Sequence, residues 1–134
     1  MRKVRCAVQE MSIAALNWAV SQTLPNRDEF YVDQEDAPPH RKANWYVVYK
    51  RLLGEFRYQP ALRWEEGGPL IEQHKLDIRY DRDITEFGLP SPYWEAYQAE
   101  TGWEAQGATP LEAAMKCIIK AHFGETMLIP GELK

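Results

Sequence analysis

Residues 58–74 read Y-Q-P-A-L-R-W-E-E-G-G-P-L-I-E-Q-H, and the way this stretch turns decides how the two halves of the chain meet. Glycine lets a backbone bend sharply or approach another group closely. Proline is favoured at the first helical position, where its missing N–H is not needed. Glu65-Glu66-Gly67-Gly68 therefore reads as a tight turn, and Pro69 as the opening of a helix over about 69–75. A helix N-terminus offers free N–H groups that attract phosphate. Tyr58 and Trp64 are rings on which a base can stack, and Arg63, with Lys50, Arg51 or Arg57, supplies a phosphate fork. Glu65 and Glu66 oppose an anion unless they turn outward. The plainer alternative is that Gly67-Gly68 permits close helix–sheet packing while Trp64 fills the core.

Outward from this stretch, the chain alternates short strands with two longer helices. Towards the N-terminus, residues 2–8 alternate weakly and read as a strand. Ser12 is an N-cap candidate for a helix over 13–23, with Ile13, Leu16 and Val20 on one face. Pro25 then stops the helix. Trp18 points about 140° away from Ile13, so it either packs under a loop or lines a ligand or subunit contact. Residues 26–44 form a long polar loop holding a short strand at 30–32. The β-branched and aromatic content of residues 45–50 favours a strand, although Trp45, Val48, Tyr49 and Leu52 also fit a helical stripe.

Towards the C-terminus, residues 76–81 alternate as a half-buried strand. Residues 83–92, with Gly88, Pro90 and Pro92, read as a turn region, and residues 93–99 and 103–106 form a hairpin across Thr101-Gly102. Thr109-Pro110-Leu111-Glu112 matches a capping box. In the helix that follows, Leu111, Ala114, Met115, Ile118 and His122 share one face. Glu112, Lys116 and Lys120 make an outer row, and Gly124 is the stop. Residues 127–129 end the chain as a strand. These elements predict a single α+β domain over residues 1–134, an antiparallel sheet with flanking helices.

The totals exclude several classes of function. A chain of 134 residues is one domain by length, and its net charge of −4 argues against duplex nucleic acid. The charge is uneven: residues 41–63 carry six cations against Glu55, whereas residues 64–112 carry eleven acids against three cations. Two cysteines, Cys6 and Cys117, suggest no disulfide scaffold, and the place of Cys117 inside a helix favours a free buried thiol. No apolar run approaches the roughly 20 residues of a membrane span, and no signal peptide is evident, so the expected location is the cytoplasm. His40, His74 and His122 are scattered, without metal-ligand spacing. Asp81-Arg82-Asp83 lacks the rest of a calcium loop and reads as a solvated turn. No nucleophile elbow or phosphate loop is present. We therefore expect no metal, no cofactor and no catalysis.

Four blocks occur in order: A-A-L-N-W-A-V (14–20), W-E-E-G-G-P-L-I-E (64–72), Y-W-E-A (93–96) and G-A-T-P-L-E-A-A-M-K-C (107–117). In these blocks the sequence resembles the NinX-like phage and prophage proteins, a family of unknown function, and is similar to the phage "ABA sandwich" domain, a sheet flanked by helices. The positions that carry the resemblance are Trp18, Tyr58, Trp64, Gly67, Gly68, Pro69, Trp94, Thr109 and Pro110. The chain departs from the family pattern in residues 26–56, which are longer, and at Ala61-Leu62-Arg63, where the family pattern is Ser-Thr-Asp. The resemblance implies a phage origin and a fold, and no activity.

The resulting expectation is a phage accessory protein that binds a small anionic or nucleotide-like host ligand, such as an immune signal, as a homo-oligomer. Its ligand-binding residues are Trp18, Tyr58, Arg63, Trp64, Gly67 and Gly68. The alternative is an interaction module that blocks or redirects a host protein through exposed Trp18, Trp45 and Tyr49.

Overall fold

The computed structural model describes residues 2–37, 39, 44–51, 54–84 and 90–134, with the backbone alone for residues 51, 81–84 and 90–92. Among the described residues, eight strands and three α-helices follow one another as β1 (Lys3–Ala7), α1 (Ile13–Ser21), β2 (Phe30–Gln34), β3 (Trp45–Arg51), β4 (Gly54–Arg57), α2 (Trp64–Gln73), β5 (Leu76–Ile84), β6 (Pro90–Gln98), β7 (Glu104–Gly107), α3 (Pro110–Phe123) and β8 (Thr126–Pro130). The α+β class and the antiparallel pairing stand. The strands sort into three separate ladders rather than one sheet: β1–β8, β2–β3–β4 and β5–β6–β7. His40 and Leu52 lie outside the described residues.

α3 is the centre of the packing. It contacts the β5–β6–β7 sheet, α1, α2 and β8, and its buried residues run from Leu111 through Ala113–Ile119. Thr109 caps it, accepting a hydrogen bond from the Glu112 N–H at 3.1 Å. Glu112 reaches back as expected, although to the Ala108 N–H, one residue short of the cap. Gly124 ends the helix with φ +92°, a value that favours glycine. Two residues sit differently from the sequence reading. Lys116 is buried, with its Nζ 3.2 Å from Glu112, because α3 is enclosed on more than one side. His122 is exposed, in edge contact with the Phe123 ring, because the last turn runs past the sheet.

α1 is likewise enclosed, buried from Ala15 to Ser21. Ser12 caps it through the Ala15 N–H at 3.1 Å, and the Ser12 hydroxyl donates to the Leu133 carbonyl at 2.7 Å. Asn17 is buried because its Oδ1 accepts the Ala61 N–H at 2.9 Å, tying α1 to the segment before α2.

In the expected turn region of residues 83–92, residues 83–84 and 90–92 are strand, and residues 85–89, with Gly88, lie outside the described residues. β5 and β6 pair from Leu76↔Gln98 to Ile84↔Pro90, so the Asp81-Arg82-Asp83 backbone is strand and not a solvated turn. The prolines fit because β7 pairs with β6 only from Trp94 to Tyr97, which leaves the Pro90–Pro92 end at an edge. β4 carries no apolar alternation and is exposed along its length; it exists because β3 offers it a partner from Arg57↔Val48 to Gly54↔Arg51.

α2 begins five residues before Pro69, so Gly67, Gly68 and Pro69 lie inside the helix. Its N-cap, Arg63, supplies no capping side chain, and the helix start is therefore silent in sequence. Glu66, the third helical residue, instead turns back to accept the Gln59 N–H at 2.8 Å. A Cβ at Gly67 would overlap the Pro60 carbonyl oxygen and come within 2.7 Å of Leu111 Cδ2. At Gly68 the nearest atom would be Trp64 Cε3 at 3.5 Å, an ordinary contact.

Gly67→Ala should therefore cost about 1–3 kcal/mol in urea unfolding through overpacking. Gly68→Ala should be neutral or stabilising by up to about 1 kcal/mol, through helix propensity. Equal effects at both positions would contradict this packing. A second expectation concerns His74, at the end of α2: burial, then the nearby His122, holds its imidazole below the ordinary 6.5. The folded protein thus binds this proton more weakly than the unfolded chain. Its contribution is complete above pH 6.5 and is lost as pH falls below that value. His74→Gln should make the acid-side loss of stability shallower; an unchanged slope would refute this assignment.

Candidate functional site

The six residues singled out from sequence do not meet in one place. Gly67 is buried against Pro60 and Leu111, so it serves the approach of α2 to the core. The N-terminal turn of α2 carries Glu65 and Glu66, and a negative charge already occupies the position that would attract phosphate. Arg63 lies across this turn, 3.6 Å from Glu65 and 3.6 Å from Glu66, which engages its guanidinium with the protein's own carboxylates. Trp64 neither fills the core nor lines a described hollow; its side is 56% exposed, as is that of Leu62. Trp18 is buried in α1, with Lys3 Nζ 5.8 Å from its ring centre, and borders a separate groove with Phe123 and Leu128. The proposed contact patch of Trp18, Trp45 and Tyr49 is not an exposed patch: Trp18 is buried, and the other two are half-buried against the core.

Tyr58 lines a hollow of ligand size, apart from the groove beside Trp18. This hollow, of about 370 Å³, opens between β2–β3–β4, the segment after α1 and the start of α2. Its rings come from one face of the sheet. Phe30 and Tyr49 stack with centres 4.7 Å apart and planes 14° from parallel; Tyr58 tilts against Phe30 at 4.8 Å. Tyr49 and Phe56 are directly opposed across β3 and β4, and Phe56 is half-exposed at the mouth. Leu24 and Asn26 close the other side, and the Asn26 amide donates to the Tyr49 hydroxyl at 3.2 Å. The alternation of β4 places Phe56 and Tyr58 on this face and Arg57 on the other. There Arg57 lies over the Tyr46 ring at 4.0 Å and pairs with Glu35 at 2.8 Å.

Glu66 supplies a carboxylate to the wall, held by the Gln59 N–H. Burial, then the charge of Glu66, pushes the Tyr58 hydroxyl well above the usual phenol range, so it is a hydrogen-bond donor at neutral pH and no base. On the opposite sheet face the Tyr31 hydroxyl is pushed up to about 12, first by its hydrogen bond to Glu55. A hollow built this way offers ring faces, the hydroxyls of Tyr49 and Tyr58, the Asn26 amide and one carboxylate.

Sequence reading missed Phe30, Tyr49, Phe56 and Glu66 as a group. Their only shared signal is that Phe30, Tyr49 and Phe56 recur on one face of strands that pair in space, and that pairing is not written in any local spacing. A larger hollow, about 510 Å³, lies on the other side of the 57–62 segment, bordered by Ser12, Asn17, Trp45, Gln59 and Leu133. Ser12 and Asn17 are there committed to capping α1 and to holding Ala61. Among the described residues no helix is long and apolar enough to cross a membrane.

Comparison with known proteins agrees with the order of blocks in the sequence. No curated protein matches the chain significantly. Residues 7–122 match the family described as Bacteriophage P22, NinX, a span that takes in α1, α2, α3 except its last residue, and every strand of the two three-stranded sheets. The chain therefore belongs to the phage NinX family.

Proposed function

We propose that this phage accessory protein works by holding a small ring-bearing host ligand, without turnover, in the hollow between Tyr49, Phe56 and Tyr58. The observation that carries this reading is the set of four rings from three strands and the adjoining segment, with Phe56 half-exposed at the opening. Stacking surfaces of this kind accept nucleobases and similar planar groups without regard to sequence. Of the nucleotide-like ligand expected from sequence, the ring has support here. The phosphate has none at α2, where carboxylates hold the first turn. Sequestration of a host signal in the cytoplasm is the biological role that fits a binder without a catalytic group.

A second reading, docking on a host protein or on another copy of the chain, is favoured by Leu62 and Trp64, two large apolar side chains each more than half exposed near the start of α2.

Calorimetric titration with a panel of bases, nucleosides and nucleotides separates the two. We expect binding that Phe56→Ala and Tyr49→Ala weaken about tenfold or more, since stacking contributes roughly 1–3 kcal/mol per ring, and that Trp64→Ala leaves unchanged. Mass spectrometry of the incubated panel should show no new product. Loss of binding in Trp64→Ala alone would move the site to α2. Absence of any binding, together with concentration-dependent association abolished by Trp64→Ala, would establish the second reading.

A further inference from the structure

The aromatic hollow also has a sign of charge. Glu66 is the acidic side chain that borders it, and its carboxylate is fixed by the Gln59 N–H at 2.8 Å. Arg57, between Phe56 and Tyr58 in sequence, also borders the hollow, but its guanidinium is engaged by Glu35 at 2.8 Å and by the Tyr46 ring at 4.0 Å on the opposite face of the sheet. On the α2 side, Arg63 is shared between Glu65 and Glu66, so two carboxylates divide one guanidinium and one negative charge is left over. At the Asn26 side, Glu29 adds a further carboxylate, accepting the Asn26 amide at 3.0 Å. Ring faces carry negative electrostatic potential, and rings gathered around a carboxylate attract an organic cation.

We infer that the hollow formed by Phe30, Tyr49, Phe56, Tyr58 and Glu66 selects a ring-bearing organic monocation over neutral or anionic ligands of the same shape. This rests on the reading of the hollow as a binding site and adds the charge class of its ligand. The ring of the guest lies against Phe56 and Tyr49, and its positive group faces Glu66. Arg63 is then a competitor from outside the hollow, because it holds the same carboxylate.

The test uses three probes with one ring and three charges: benzyltrimethylammonium, benzyl alcohol and benzoate, titrated into the full chain and followed by two-dimensional NMR. The cation should bind about tenfold or more tightly than the alcohol, as expected for a partly desolvated cation–ring contact, and benzoate should bind least. Glu66→Gln, which keeps an oxygen for the Gln59 N–H, should bring the cation down to the affinity of the alcohol and leave the alcohol unchanged. Arg63→Ala should act oppositely and tighten the cation several-fold, because it removes the competing guanidinium. Both shifts in the expected directions, with perturbed resonances at Tyr49, Phe56 and Tyr58, support the assignment. Equal binding of the three probes at these resonances would overturn the charge class and leave the hollow as a ring-binding site. Binding of none of the three, nor of any nucleoside, would overturn both.

Discussion

The burial of α3 is the constraint from which the rest of the arrangement follows. A two-stranded sheet is marginal on its own in water, and a three-stranded one needs its apolar face covered; the described residues form three such small sheets. α3 carries the β5–β6–β7 sheet and touches β8, while α1, packed beside it, meets β2, β3 and β8. The helices are therefore apolar on more than one side, with buried runs at Ala15–Ser21 and Ala113–Ile119. Small residues, Ala15, Ala19, Ala113 and Ala114, let enclosed helices approach without large voids. The polar atoms that this enclosure strands are each answered: Asn17 by Ala61, Lys116 by Glu112, and Gln98 by the carbonyl of His74 at 3.0 Å. An unanswered group at any of these places would cost on the order of a few kcal/mol.

The same packing fixes the aromatic hollow from a distance. α2 reaches the core at Gly67, which lies against the Pro60 carbonyl and the Leu111 side chain of α3. That contact sets where the first turn of α2 falls. Glu66, one residue earlier, then reaches Gln59, and the backbone of Tyr58 is held in turn by the Val47 carbonyl at 2.9 Å. The wall of the hollow is thus tied to the centre of the fold through a short series of contacts, whereas its mouth, at Phe56, is open. Pro69 is carried inside the helix, although it gives up the N–H that would have bonded to the Glu65 carbonyl. The specific block W-E-E-G-G-P-L-I therefore marks how α2 is seated, and only its third residue, Glu66, borders the hollow.

Electrostatics divides the β2–β3–β4 sheet in the same way. One face gathers Phe30, Tyr49, Phe56 and Tyr58. The other pairs Tyr31 with Glu55 and Arg57 with Glu35 and Tyr46, and these cover Val48, which is buried beneath them. Of the described cations in residues 41–63, Arg57 directs its guanidinium to the face opposite the rings and Arg63 is drawn to the first turn of α2.

By itself the sequence determined the α+β class, the antiparallel pairing, both long helices and their caps at Ser12, Thr109 and Gly124, and most strands to within a few residues. These depend on local preferences: alternation, helical spacing, capping hydroxyls and a glycine at positive φ. It also carried the family, in four blocks of ordered residues. Tertiary structure alone decided the start of α2, because Arg63 offers no cap and Glu66 bonds back to Gln59 instead. It decided the burial of Lys116 and Trp18, because helices enclosed by several sheets have no outer row to predict. It produced β4, whose only reason to be a strand is the free edge of β3. And it assembled the aromatic hollow, since Phe30, Tyr49, Phe56 and Glu66 are separated by up to 36 positions and meet only where strand pairing and the seating of α2 bring them together.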